Sequence, residues 1–170
     1  MAAGHDNQLA RQIGEHLVAA ELGRQGFIAA PFAGNVQKYD LLAANADGLS
    51  VPVQVKAIRK PTWQLDASQF LQIEKDETGQ KIIGLSDLPK NLICVYVWLE
   101  QRSDDGKDTF YIFPVRWLQE FVALNYVVRE PPKNISSTHF ALHPREFPQD
   151  FKNDWSLFHQ HLGTKQKSQS

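Results

Sequence analysis

The sequence predicts an α/β fold with a mixed central sheet flanked by helices on both faces. Three observations carry this. Helix-period and strand-period segments alternate along the chain instead of segregating. Residues 92–99 (LICVYVWL) are apolar on both sides, as a strand in the middle of a covered sheet must be. The chain has 170 residues, 42% of them apolar, with four Trp and ten Phe, which suits one domain with a substantial core.

The elements follow in order. The first helix is expected over residues 8–25, with Asp6 or Asn7 as N-cap and Gly26 as its stop. It carries two apolar stripes, Leu9-Ile13-Leu17-Ala20 and Val18-Ala19-Leu22. Glu15 shares the second stripe, where a buried carboxylate needs a partner or a metal. Strands are expected at 39–44 (YDLLAA) and 49–58 (LSVPVQVKAI). Asn45-Ala46-Asp47-Gly48 between them suits a type I turn ending in a left-handed glycine. In the second strand Val51, Val53 and Val55 point one way, Gln54 and Lys56 the other. A three-residue loop at 46–48 sets Asn45 opposite Leu49 and Asp40 opposite Gln54. Asp40, Gln54 and Lys56 then share one face of a hairpin, and a one-residue slip would scatter them.

Residues 62–65 read as a short strand, followed by a helix from an Asp66 cap to about Lys75. After the central apolar strand, a turn with Asp105-Gly106 leads to a strand at 109–113. Pro114 opens a helix carrying Val115, Leu118, Phe121, Val122 and Leu124. A last helix is expected over 153–162. Residues 1–162 form the expected domain, and the polar residues 163–170 its flexible tail.

Composition excludes several functions. Eighteen Lys and Arg against nineteen Asp and Glu give a net charge of −1, which rules out a strongly basic architectural nucleic-acid binder and leaves room for a local basic cleft. One cysteine, Cys94, excludes an internal disulfide framework and a multi-cysteine zinc cluster. No segment approaches the roughly 20 apolar residues of a membrane span. The polar residues 1–12 lack the apolar middle of a secretory signal, so a cytoplasmic location is expected.

A helix with Glu15, a strand with Asp40, a strand with Gln54-Val55-Lys56, a helix and a central strand follow one another. In GEHLVAAELGRQGF (14–27), YDLL (39–42) and VQVK (53–56) this order resembles the PD-(D/E)XK nuclease superfamily, the restriction-endonuclease-like fold. The likeness spans about residues 9–99. Two departures stand out: Tyr39 replaces the proline of the "PD" element, and Gln54 the acidic residue of the second, a QxK variant.

The resemblance implies a divalent-metal-dependent DNA endonuclease, which hydrolyses phosphodiester bonds with a metal-activated water. Asp40 and Gln54 would hold Mg²⁺ (or Mn²⁺), with the Val55 carbonyl and Glu15 as further ligands, and Lys56 would act on the water or phosphate. The alternative is a non-catalytic nucleic-acid- or protein-binding module on the same fold, favoured by the neutral Gln54. A plain cross-strand Asp40–Lys56 ion pair is the structural alternative at the hairpin itself. Lys38, Arg59 and Lys60 flank the site as phosphate contacts, and Trp63 as a base-stacking ring. Solvated strand ends and a core tryptophan explain the same four residues. His139 and His143 lack a third zinc ligand, and Cys94 reads as a buried inert thiol. Cutting both strands of a duplex calls for two sites, so a homo-oligomer, dimer or tetramer, is expected.

Overall fold

A computed structural model describes residues 2–31, 39–99 and 106–163. Five strands form the central sheet in the order β1-β2-β3-β7-β8: β1 (Ile28–Pro31), β2 (Leu41–Ala44), β3 (Ser50–Ile58), β7 (Ile93–Trp98) and β8 (Thr109–Pro114). The β3–β7 pair is parallel and the other pairs are antiparallel, so the sheet is mixed. Two ribbons accompany it: β4 (Trp63–Asp66) with β9 (His139–Leu142), and β5 (Leu71–Asp76) with β6 (Gly79–Leu85). The helices are α1 (Ala2–Arg24), α2 (Val115–Asn125) and α3 (Ser156–Leu162).

Alternation along the strands builds two cores. On one face Val53, Val55, Ile93, Val95, Val97 and Ile112 pack under α1 and α3. On the other, Cys94, Tyr96, Trp98, Tyr111 and Phe113 pack under α2 and the β4–β9 ribbon. Burying each such side chain stabilises the fold by roughly 1.5–3 kcal/mol.

In α1 the buried stripe is Ala10, Gly14, Val18 and Leu22, four residues apart. The expected Leu9-Ile13-Leu17 stripe is only half-buried beside it. Gly14 lets the helix lie on the sheet, for a Cβ there would sit 2.4 Å from the Ala57 Cβ. The helix runs through Asp6 and Asn7 instead of being capped by them. Both are exposed, and such residues in a helix interior cost only about 0.7 kcal/mol. Gly26 does end the element, with φ +89°: its amide donates to the Gly23 carbonyl and that of Phe27 to Leu22.

Between β2 and β3 the expected three-residue loop is present. Gly48 has φ +87°, and Asn45 accepts through its side chain from the Asp47 and Leu49 amides. Leu41 pairs with Val53 and Ala44 with Ser50, so the register puts Asp40 opposite Gln54.

The helix expected from Asp66 to Lys75 is absent. Asp66 caps only a single 3-10 turn, accepting from the Ser68 amide and hydroxyl, and the chain then enters the β5–β6 hairpin. Leu71 and Ile73 alternate with exposed Gln72 and Glu74, and Asp76 accepts from the Thr78 and Gly79 amides to close the turn. The last helix starts at Ser156, not Asn153, because Asn153 is bonded through main chain and side chain to Phe110 on β8. Strand β1 has no clear signal in its short Ile-Ala-Ala-Pro sequence. Asp104, Asp105 and tail residues 164–170 lie outside the described residues. Among the described residues, no helix is long and apolar enough to cross a membrane.

Candidate active site

Strand β2 is four residues long and β3 is nine, so the upper part of β3 runs past the end of its neighbour. Asp40 stands at that step. Its amide donates to the Val53 carbonyl at 2.8 Å, and its carboxylate Oδ2 accepts from the Val55 amide at 2.8 Å. A side chain thus supplies the acceptor that the missing strand would have given. Because N–H and C=O of one strand residue point to the same side, the Val55 carbonyl is aimed at the same step.

Gln54 and Lys56 lie on the face that turns away from α1, and both line a cleft of about 820 Å³. Asn7, Arg11 and Asp40 form one rim. Residues 54–58 of β3 contribute one wall, Lys60 and Thr62 through Leu65 another, and Ser68, Gln69 and Ser86 through Leu88 the far side. The far side is held in place from beneath: buried Gln119 of α2 donates to the Phe70 and Ser86 carbonyls at 3.1 and 2.8 Å. The side chains of Gln54 and Lys56 have no hydrogen-bond or ion-pair partner among the described residues.

The partner of Asp40 is Arg11, not Lys56. The Arg11 guanidinium places one nitrogen 2.8 Å from Asp40 Oδ1 and its Nε 2.8 Å from Glu15 Oε1. The two carboxylates are largely covered, at 18% exposure for Glu15 and 13% for Asp40, whereas Arg11 is 59% exposed. The hydrogen bond to Glu15, helped by the charges of both carboxylates, raises the Arg11 pKa above its ordinary value against the opposing effect of burial. Glu15 is not part of the cleft wall and meets the site through Arg11. Sequence reading missed this role of Arg11, although the four-residue spacing to Glu15 is a helix ion-pair signal.

Other candidates separate. Lys60 lines the cleft, and Arg59 is half-buried and does not. Lys38 lies outside the described residues. Trp63 does not offer a ring for base stacking: it is 2% exposed, packed edge-on against Tyr96 and Tyr111, and its indole N–H donates to the Lys56 carbonyl at 3.1 Å. Its contribution is to fix the backbone that carries Lys56. Cys94, the register partner of Gln54, is fully buried. Burial pushes its thiol up to about 12, which Lys56 opposes and Asp40 reinforces.

The donor set fits a hard divalent cation. The Asp40 carboxylate stands at the strand step with Gln54 and Val55 lining the same cleft, and a guanidinium cation already bridges the two acidic groups. Among the described residues, no cluster of three or more His, Cys, Asp or Glu forms a preassembled metal site. Oxygens of Gln54 and Val55 would therefore have to complete the shell.

No family model matches this sequence, and no curated protein matches it. Among solved structures the chain is similar to the bacterial homing endonuclease I-Ssp6803I, with a TM-score of 0.50 and 18% identity over 90% of this chain and 93% of that one. At that identity the likeness is one of fold, and it extends over nearly the whole described architecture.

Proposed function

We propose that this protein is a divalent-metal-dependent DNA endonuclease of the PD-(D/E)XK kind with a QxK second element. The observation that carries the reading is the convergence of Asp40, Gln54 and Lys56 at one cleft, where β3 outruns β2. The nuclease-like fold supports it. Asp40 would be the principal ligand of Mg²⁺ or Mn²⁺, held in position by the Val55 amide. The Gln54 side-chain oxygen and the Val55 carbonyl would add neutral ligands, with Glu15 behind them. The cation supplies a water that is nucleophilic at neutral pH and offsets charge on the phosphate. Lys56 lines the same cleft, with no ion-pair partner among the described residues, and its ammonium is suited to orient the attacking water and stabilise the oxyanion. Lys60 in the cleft wall suits a phosphate contact, and two copies in a dimer or tetramer would cut both strands.

The competing reading, a binding module on the same fold, draws on the neutral Gln54 and on the pairing of both carboxylates with Arg11. One experiment decides between them. The protein is incubated with linear, supercoiled and branched DNA in Mg²⁺ or Mn²⁺, beside EDTA and Lys56→Ala controls. The expected result is cation-dependent cutting that Lys56→Ala lowers by at least about 10²-fold without loss of folding. Full cutting by Lys56→Ala removes Lys56 from the chemistry. Absence of both cutting and Mn²⁺ binding selects the binding module.

A further inference from the structure

We propose that Arg11 is a displaceable latch on the site: it holds Asp40 while no cation is present, yields that carboxylate to an incoming divalent cation, and so sets the concentration at which the site fills. This rests on the reading of Asp40 as a cation ligand. Asp40 has two oxygens, and among the described residues each has one hydrogen-bond partner. Oδ2 is bonded to the Val55 amide, part of a strand interior to the sheet, while Oδ1 is bonded to a side chain that is 59% exposed. Any cation that binds through Oδ1 meets Arg11 first, and Arg11 is the partner free to move.

The second anchor shows where it goes. Arg11 Nε is bonded to Glu15, four residues along the same helix, so loss of the Asp40 contact does not release the guanidinium to bulk solvent. It stays tethered at the cleft rim beside Asn7, where its planar fork suits a phosphate oxygen as well as a carboxylate. Lysine, a point charge with one nitrogen, cannot span the two carboxylates from two different nitrogens. The arrangement is therefore specific to arginine.

Calorimetric titration with Mn²⁺ tests this on the full chain as wild type, Arg11→Gln, Arg11→Lys and Asp40→Asn, with thermal melts to confirm folding. Removing one positive charge beside the carboxylate is expected to tighten Mn²⁺ binding about tenfold in Arg11→Gln. Arg11→Lys should fall between that variant and wild type, and Asp40→Asn should abolish binding. Binding by Arg11→Gln alone would support the latch equally. Unchanged or weaker binding by folded Arg11→Gln, with wild type still binding, overturns the latch and leaves the cation site standing. No binding by any folded protein overturns both.

Discussion

On one face of the central sheet the aliphatic side chains of β3, β7 and β8 are covered along their length by α1 and α3. On the other, aromatic rings fill the space over β7 and β8, but over β3 the cover stops and Gln54 and Lys56 face a cleft. The same strand serves both: Val51, Val53 and Val55 are buried, and the residues between them are half-exposed. The contrast shows how a site is carried without being built into a core. Its side chains alternate with residues that cannot move, and thereby gain position from packing they take no part in.

Substitutions at three positions bear on that contrast. The largest expected effect is at Trp63, which belongs to the aromatic core yet holds the backbone of Lys56. Trp63→Ala should cost about 3–5 kcal/mol in denaturant unfolding, whereas Trp63→Phe, which loses the hydrogen bond to the Lys56 carbonyl and part of the packing of the indole, should cost less, about 1–3 kcal/mol. Cleavage that falls in Trp63→Phe with the fold kept would tie the core to the site, and unchanged cleavage would separate them. Next is Gly14, the close approach on the covered face. Gly14→Ala should destabilise by about 1–3 kcal/mol through overpacking against Ala57. It should also displace the helix that bears Arg11 and Glu15, visible as altered Mn²⁺ affinity. A neutral Gly14→Ala would mean that the covered face is looser than its packing implies.

The smallest effect lies at the rim of the aromatic cover. Burial of Asp66 acts to raise its pKa, but hydrogen bonds from Thr138 and Ser68 hold the carboxyl below the usual aspartate value. A lowered folded pKa stabilises fully above the unfolded value, and the contribution is lost as pH falls through the folded one. The urea midpoint of Asp66→Asn should therefore fall below wild type near pH 6 and converge with it near pH 2. A difference that persists at pH 2 would assign the loss to packing.

The legible parts of the sequence were those fixed by local rules. Gly48 needed a left-handed backbone, the valines of β3 alternated, and together they set the register that brought Asp40 opposite Gln54. Pro114 marked the start of α2, and the run around Cys94 announced a central strand. The illegible parts depended on distant partners. Arg11 meets Asp40 across 29 positions, because α1 crosses the sheet at Gly14, and no periodicity encodes a crossing. Trp63 is buried against Tyr96, Tyr111 and Phe147, all far downstream in the chain, so a tryptophan beside basic residues was as compatible with stacking on a base as with a core. The expected helix after Asp66 failed for a third reason. A cap fixes how a turn begins but not how long the helix runs, and the alternation from Leu71 to Glu74 carried the chain into a hairpin.

The bond from the Val55 amide to Asp40 has a consequence for how variants are read. The sheet edge above β2 is finished by a carboxylate, so one side chain is both the proposed ligand and the last rung of the ladder. An alanine at position 40 would remove the charge and also leave an amide on β3 without its acceptor, so lost activity would confound fraying with chemistry. Asparagine can keep an oxygen as acceptor for the Val55 amide while it removes the charge and the acceptor that Arg11 uses. At this position, the conservative variant is the informative one.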